Sequence, residues 1–272
     1  MKFSLLMPIY LGADPEDLDS SIASIWDRQS LKPAEILIIV DGPINDGIRS
    51  VLQRRKSQIA CLRTIEIAIN KGLGYALRIG VAECRHDWIA RMDADDISHE
   101  SRFAQQAAFI ETNPDVDIVG GYVRETGGTH KGAARLRRCP TTHDDIVSYA
   151  RKRCPFNHPT VMFRKQIVID AGNYLPYRKY QDYELWARLI QSGARCRNLA
   201  TSLVDMKADK SMARRRGGLG YARTEFAIQR KFLKSGFLSG YEFARNVIVR
   251  SIFRLVPVTI RFHLYKIILR QS

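Results

Sequence analysis

The run Arg91-Met92-Asp93-Ala94-Asp95-Asp96 places three carboxylates in four positions directly after the apolar stretch Trp88-Ile89-Ala90. Closely spaced aspartates at the carboxyl end of a buried strand repel one another unless a cation, or a cation with a phosphate, lies between them. Asp93-Ala-Asp95 is thus a D-x-D arrangement suited to a divalent ion, Mg or Mn, shared with a diphosphate. By itself the same spacing also caps a helix or solvates a turn, so its neighbours in the fold decide between the readings.

Other residues carry matching chemistry. Asp41 ends the strand Glu35-Ile-Leu-Ile-Ile-Val40, where a carboxylate accepts hydrogen bonds from a base or ribose, or simply closes an Asx turn with Gly42 and Pro43. Asn70-Lys71-Gly72-Leu73-Gly74 opens a helix and can bring backbone amides and the Lys71 ammonium toward phosphates, although it lacks both the G-x-G-x-x-G and the G-K-[ST] spacing. Asp182, in Tyr180-Gln-Asp-Tyr-Glu-Leu-Trp186, has the placement of a general base beside aromatic surfaces able to stack on a sugar; acids there also suit the helix dipole. Three further candidates for acceptor or diphosphate contact are His158, set between prolines, Trp186, and Arg214 in the run Arg214-Arg215-Arg216-Gly217.

These residues need a frame. Phe3 to Pro8, Glu35 to Val40, Cys61 to Ile67 and Asp87 to Met92 read as strands, alternating with helices over Leu18 to Gln29, Ile48 to Ile59 and Leu73 to Cys84. That alternation is the pattern of βαβ units and a mainly parallel sheet. Ligands of such sheets bind at the carboxyl ends of strands, so Pro8-Ile9-Tyr10, Asp41-Gly42 and the Asp93 to Asp96 loop are expected to share one crevice. Farther on, Arg102 to Thr112 reads as a helix, Val116 to Gly121 and Thr160 to Phe163 as strands, and Asp182 to Gln191 as a helix with Leu185, Trp186 and Leu189 able to face the core.

The chain has 272 residues and a net charge of +15, unevenly spread. From Lys207 to the end there are 15 Lys and Arg against three acids, a net +12, which leaves +3 for the first 206 residues. We therefore expect a catalytic domain over residues 1–206 followed by a basic extension over 207–272. Phe243, Val247, Ile252, Val256 and Ile260 lie near helical spacing among Arg245, Arg250, Arg254, Arg261, Lys266 and Arg270, on both sides of Pro257. Two short amphipathic helices resting on an anionic membrane surface account for that pattern, and a helical cap on the domain is the alternative.

Five widely spaced cysteines without a C-x-x-C pair argue against a disulfide framework or a zinc site and suit a reducing cytosol. The N-terminal apolar run is too short for a signal peptide, and no window approaches the roughly 20 apolar residues of a membrane span. A nucleic-acid binder would use the basic tail but gives no reason for Asp41, Asp93, Asp95 and Asp182, so no nucleic acid is expected. A sugar-nucleotide-forming nucleotidyltransferase normally carries a Gly-rich basic loop after the first strand, where this chain has the acidic Tyr10-Leu-Gly-Ala-Asp-Pro15.

Ser4-Leu-Leu-Met-Pro-Ile-Tyr10, Ile36-Leu-Ile-Ile-Val-Asp-Gly42, Asn70-Lys-Gly-Leu73, Trp88-Ile-Ala-Arg-Met-Asp-Ala-Asp-Asp-Ile97 and Gln181-Asp-Tyr-Glu-Leu-Trp186, in that order, resemble the family 2 glycosyltransferases, and within them the bacterial exopolysaccharide transferases of the amylovoran biosynthesis type. The resemblance spans about the first 190 residues. It implies the nucleotide-diphospho-sugar transferase (A-type) α/β fold, with a nucleotide-sugar-binding half over residues 1–97 and an acceptor half over 98–206, and an inverting transfer from a nucleotide-diphosphate sugar to a saccharide acceptor, while the basic amphipathic tail would rest on the cytoplasmic face of the inner membrane and bring the site close to a lipid-linked saccharide. It further implies that Asp41 contacts the base or ribose, that Asp93 lies near the ribose, that Asp95 holds the metal and that Asp182 is the base. Pro8, Tyr10, Lys71, Gly72 and Ala94 would line the donor. Many relatives carry A-R-N-x-G after the N-x-G turn; here Leu77 stands where the arginine is expected, so Arg78 inherits no nucleotide contact.

Overall fold

The computed structural model describes residues 1–126, 134–207 and 219–255. Among the described residues, nine strands form one sheet. In chain order they are β1 (Ser4–Ile9), β2 (Glu35–Asp41), β3 (Leu62–Ile67), β4 (Trp88–Arg91), β5 (Ile97–Ser98), β6 (Ile118–Thr126), β7 (Arg135–Arg137), β8 (Met162–Arg164) and β9 (Cys196–Lys207). Their order across the sheet is β3-β2-β1-β4-β8-β6-β9-β5, with β7 paired to β6. The helices are α1 (Pro15–Ile25), α2 (Asp46–Gln58), α3 (Leu73–Glu83), α4 (Arg102–Thr112), α5 (His143–Ala150), α6 (Lys165–Asp170), α7 (Gln181–Gln191), α8 (Leu219–Lys234) and α9 (Gly240–Leu255).

The first four strands follow the expected parallel pattern, β1 pairing with β2 and β4, and β2 with β3. Every residue of β1 and β2 is buried, as continuous apolar runs require when helices cover both faces of a sheet. Because side chains alternate across a strand, Leu5, Met7, Ile36 and Ile38 enter one core with α1, α2 and α4, whereas Leu6, Leu37 and Ile39 enter a second with α3 and α7. Beyond β4 the sheet is mixed: β8 is antiparallel to both β4 and β6, and β5 is antiparallel to β9, while β6 and β9 run parallel. The longest strand, β9, has no clean period in its sequence, and its burial is irregular on both faces.

A third apolar cluster joins the start of the basic extension to the sheet-bound helices. Ile228 and Phe232 of α8, with Phe237 and Leu238 of the following turn, pack on Ala150, Tyr183 and Ala187. The extension thus contains an unforeseen first helix, α8, that docks on the domain, followed by α9 over the first of the two expected amphipathic segments. The second expected segment, after Pro257, lies outside the described residues, as does Arg214. Among the described residues no helix is long and apolar enough to cross a membrane, and all five cysteines are free thiols.

Candidate active site

The carboxyl ends of β1, β2 and β4 lie side by side, so Tyr10, Asp41 and the Asp93–Asp96 loop share one edge, as the topology requires. Asp41 is buried at 4% exposure and accepts the amides of Lys71 (2.8 Å) and Gly72 (2.7 Å), one on each oxygen. It therefore clamps the Asn70–Gly72 turn to the end of β2, a role that the strand-end reading did not separate from ligand contact. Gly72 adopts φ +93°, and a Cβ there would lie 2.8 Å from Arg178; Arg178 also donates to the carbonyl of Asn70 (3.2 Å). Lys71 is exposed, its ammonium 4.5 Å above the ring of Tyr75. Tyr10 is 48% exposed at the mouth, and Pro8 is buried within β1.

At the end of β4, Arg91 is buried and grips both oxygens of Asp93 through two guanidinium nitrogens. The Arg91 carbonyl accepts from the fully buried Arg102 of α4 (2.8 Å), whose guanidinium pKa is pulled down to about 9 by burial and then by the neighbouring Arg91. The loop is tied to α1 as well: Ser21 Oγ donates to the Asp93 carbonyl (2.9 Å), and the Ser98 amide donates to Ser24 Oγ (3.0 Å). Ala94 packs against the first core. Asp96 is buried and accepts the Lys207 amide on Oδ1 (2.9 Å), while its Oδ2 has no partner.

What remains free decides whether these residues suit a divalent ion. Asp93 is committed to Arg91. Asp95 is exposed to solvent, and its carboxyl is raised by crowding of the surrounding atoms and then by the charge of Asp93. Burial, and then Asp93 and Asp95, raise Asp96 far above the ordinary carboxylate range. Such raised carboxyls mark a place where a cation is favoured. Among the described residues no three His, Cys, Asp or Glu side chains converge into a protein-only cage. The set fits an ion that Asp95 would hold, completed by phosphate oxygens and water.

Asp182 sits in the first turn of α7, partly exposed, with Cys154 Sγ 3.8 Å from its Oδ2. Burial, then the Asp182 charge, holds the Cys154 thiol well above its usual range, so it remains a neutral donor. Tyr174 is fully buried, and after burial the charge of Arg91 and then those of Asp182, Cys154 and Asp93 bear on its hydroxyl. His158 Nε2 is 3.0 Å from that hydroxyl, and burial, then the charge of Arg91, keep its imidazole well below the usual range and neutral. Trp186 has no exposed surface. Its ring is 5.3 Å from Phe156, 6.2 Å from Phe163 and 6.1 Å from His158, so it closes the second core and cannot touch an acceptor. The core-facing reading of Trp186 is the one that holds, because its helix buries that face entirely.

Arg91, Tyr174 and Cys154 were not singled out as site residues. Arg91 stood inside the conspicuous motif, but nothing local distinguishes a buried clamp from a surface charge. Cys154 is brought in by the connection between α5 and β8, and Tyr174 by the one between α6 and α7. Arg78, set aside at the sequence level, donates to the carbonyls of Gly172 (2.9 Å) and Tyr174 (3.2 Å) and so fastens α3 to that connection.

The family model described as "Glycosyl transferase family 2" matches residues 4–173. The chain belongs to glycosyl transferase family 2. It is a glycosyltransferase with the A-type fold, and residues 4–173 contain every donor-side residue named above. It is 34% identical over 270 residues to the UDP-Gal:alpha-D-GlcNAc-diphosphoundecaprenol beta-1,3-galactosyltransferase of Escherichia coli, covering 99% of this chain and 97% of that one. It is likewise 34% identical over 267 residues to the amylovoran biosynthesis glycosyltransferase AmsE of Erwinia amylovora, covering 97% and 98%. Among solved structures, S. aureus TarS residues 1–349 in complex with UDP-GlcNAc superposes with a TM-score of 0.65 at 15% identity, covering 86% of this chain and 67% of that one. The mannosyltransferase PcManGT of Pyrobaculum calidifontis, in complex with GDP-Man and Mn2+, gives 0.64 at 14% identity, covering 92% and 68%. At such identities the structural likeness concerns the fold.

Proposed function

We propose that this glycosyltransferase moves a sugar, with inversion, from a nucleotide-diphosphate donor to a lipid-linked saccharide in the assembly of a bacterial surface or extracellular polysaccharide. The observation that supports the reading is that the charge of Asp182, the base candidate in the first turn of α7, and those of the donor-side pair Arg91 and Asp93 act on one hydroxyl, that of the buried Tyr174. The near full-length likeness to a transferase that acts on a diphosphoundecaprenol-linked sugar supports the acceptor class.

In this reading the Asp41-clamped turn presents its backbone and Lys71 to the donor nucleotide, and Asp93, held by Arg91, faces the ribose side. Asp182 takes the proton of the acceptor hydroxyl as that oxygen attacks the anomeric carbon from the face opposite the leaving diphosphate, which inverts the configuration. A divalent ion on Asp95 would supply charge neutralisation for the diphosphate. Cys154 Sγ, 3.5 Å from the Phe156 carbonyl and 3.8 Å from Asp182 Oδ2, has one proton for the two acceptors, and Asp182 Oδ1 is left for the acceptor hydroxyl. The chain works at the cytoplasmic face of the inner membrane, with the basic C-terminal helices against anionic lipid.

The test is transfer from a panel of nucleotide sugars to an undecaprenyl-diphosphate-linked GlcNAc analogue by the native chain and by Asp182→Asn. Product formation by the native chain, with donor binding but no transfer by the variant, is expected. Near-normal turnover by Asp182→Asn removes the base assignment, and no transfer with any donor removes the acceptor class.

A further inference from the structure

The basic extension is more than an appendage to the site. Tyr180, two residues before Asp182, adopts φ 62° and ψ 12°, a left-handed conformation that is unfavourable for a non-glycine residue and persists only where its surroundings over-determine it. Those surroundings are largely α8. The Tyr180 ring lies 5.2 Å from that of Tyr221, and Lys179 caps the other ring from 4.8 Å. Directly after Asp182, Tyr183 packs edge-on to Phe232 at 4.9 Å and donates its hydroxyl to the Ala150 carbonyl (2.5 Å).

One residue farther, Glu184 is fully buried and receives Lys231 Nζ from α8 at 2.6 Å. The same carboxylate binds Arg188 at 2.8 and 2.7 Å, and Arg188 reaches on to the carbonyl of Asn173 (2.8 Å), the neighbour of Tyr174. Residues on both sides of Asp182 are thus held from α8, while Asp182 itself is turned to Cys154. A buried carboxylate between two cations is costly to break, because removal of one partner leaves charge uncompensated.

We propose that α8 aims the catalytic base: Tyr221, through the strained Tyr180, and Lys231, through Glu184, are positioning residues for transfer. The extension then completes the acceptor half of the site, and its docking is a condition of turnover independent of any contact with lipid. This rests on the reading of Asp182 as the base, which Asp182→Asn tests separately.

The experiment uses the full chain in detergent solution, without membranes, and the substrate pair found by the donor panel. Tyr221→Leu and Lys231→Met are each expected to lower kcat roughly tenfold or more, the scale on which a misplaced catalytic group acts. Affinity for whichever of UDP and GDP binds the native chain should stay within about twofold in both variants, since the donor half is untouched. Tyr221→Phe and Lys231→Arg, which keep the ring contact and the ion pair, should recover most of kcat. If Tyr221→Leu fails to fold, Lys231→Met decides. Unchanged kcat overturns the proposal, as does a kcat loss that merely tracks the folded fraction in thermal melts or that falls in parallel with nucleotide affinity. If Asp182→Asn is inactive while Lys231→Met is normal, the coupling fails and the base reading survives.

Discussion

The guanidinium of Arg91 holds both carboxylate oxygens of Asp93, two residues farther along the same strand end. Arg91 is almost fully buried, and its Nε has no partner. The pair distinguishes two carboxylates that spacing alone left alike. Asp93 is fixed by its guanidinium partner, and Asp95 is left exposed to solvent.

Arg91→Met should leave Asp93 uncompensated and its loop loose. Loss of one partner of a fully buried pair costs 3–5 kcal/mol in general, and because Asp93 keeps some solvent access we expect about 2 kcal/mol here. Urea unfolding measures this. Nucleotide affinity should fall in the same variant, and unchanged affinity would show that Asp93 needs no clamp.

His158 adds a pH dependence whose sign follows from its neutral burial. Its folded value lies well below the ordinary 6.5, so below about pH 6.5 the unfolded chain takes up a proton that the folded chain does not. Stability is full above that range and declines as the pH falls. Urea midpoints measured from about pH 7.5 to pH 5 should drop for the native chain and stay flatter in His158→Asn. Glu35 adds a second loss at lower pH. Burial raises its carboxyl, but bonds from the Arg85 amide, Ser4 and Arg63 outweigh this, so its contribution is present above about pH 4.3 and lost below.

Removal of divalent ions by EDTA should abolish transfer and weaken nucleotide-diphosphate binding, with recovery on addition of Mg or Mn. Asp95→Asn should mimic EDTA, with a loss of roughly 100-fold or more. Undiminished transfer in excess EDTA would remove the metal from the scheme.

Helix α9 exposes Tyr241 (76%), Ile248 (58%) and Val249 (55%) beside a basic sequence, whereas Asn246 and Arg250 bind back to the domain at the carbonyls of Arg151 and Lys152. Flotation with liposomes containing anionic lipid should therefore carry the full chain and leave a chain lacking residues 240–272 behind, and added salt should weaken the binding. Equal flotation of both chains would assign these helices to capping alone.

Much of the donor half was legible in the sequence because its signals are local. Continuous apolar runs from Ser4 to Ile9 and Glu35 to Asp41 can only be strands covered on both faces, and a parallel pattern brings their carboxyl ends, with Asp41 and Asp93 to Asp96, to one edge. The first turn of α7 likewise announced an acidic helix start at Asp182. Tertiary structure alone decided what those residues touch. Whether Asp41 faces a ligand or the Lys71 and Gly72 amides, whether Trp186 stacks on a sugar or closes the core, and whether the basic segment floats or docks through α8 all depend on contacts between residues far apart in the chain. Residue type and spacing encode periodicity and turn chemistry, but partners such as Lys231 and Glu184, 47 positions apart, meet only when two packed faces bring them together.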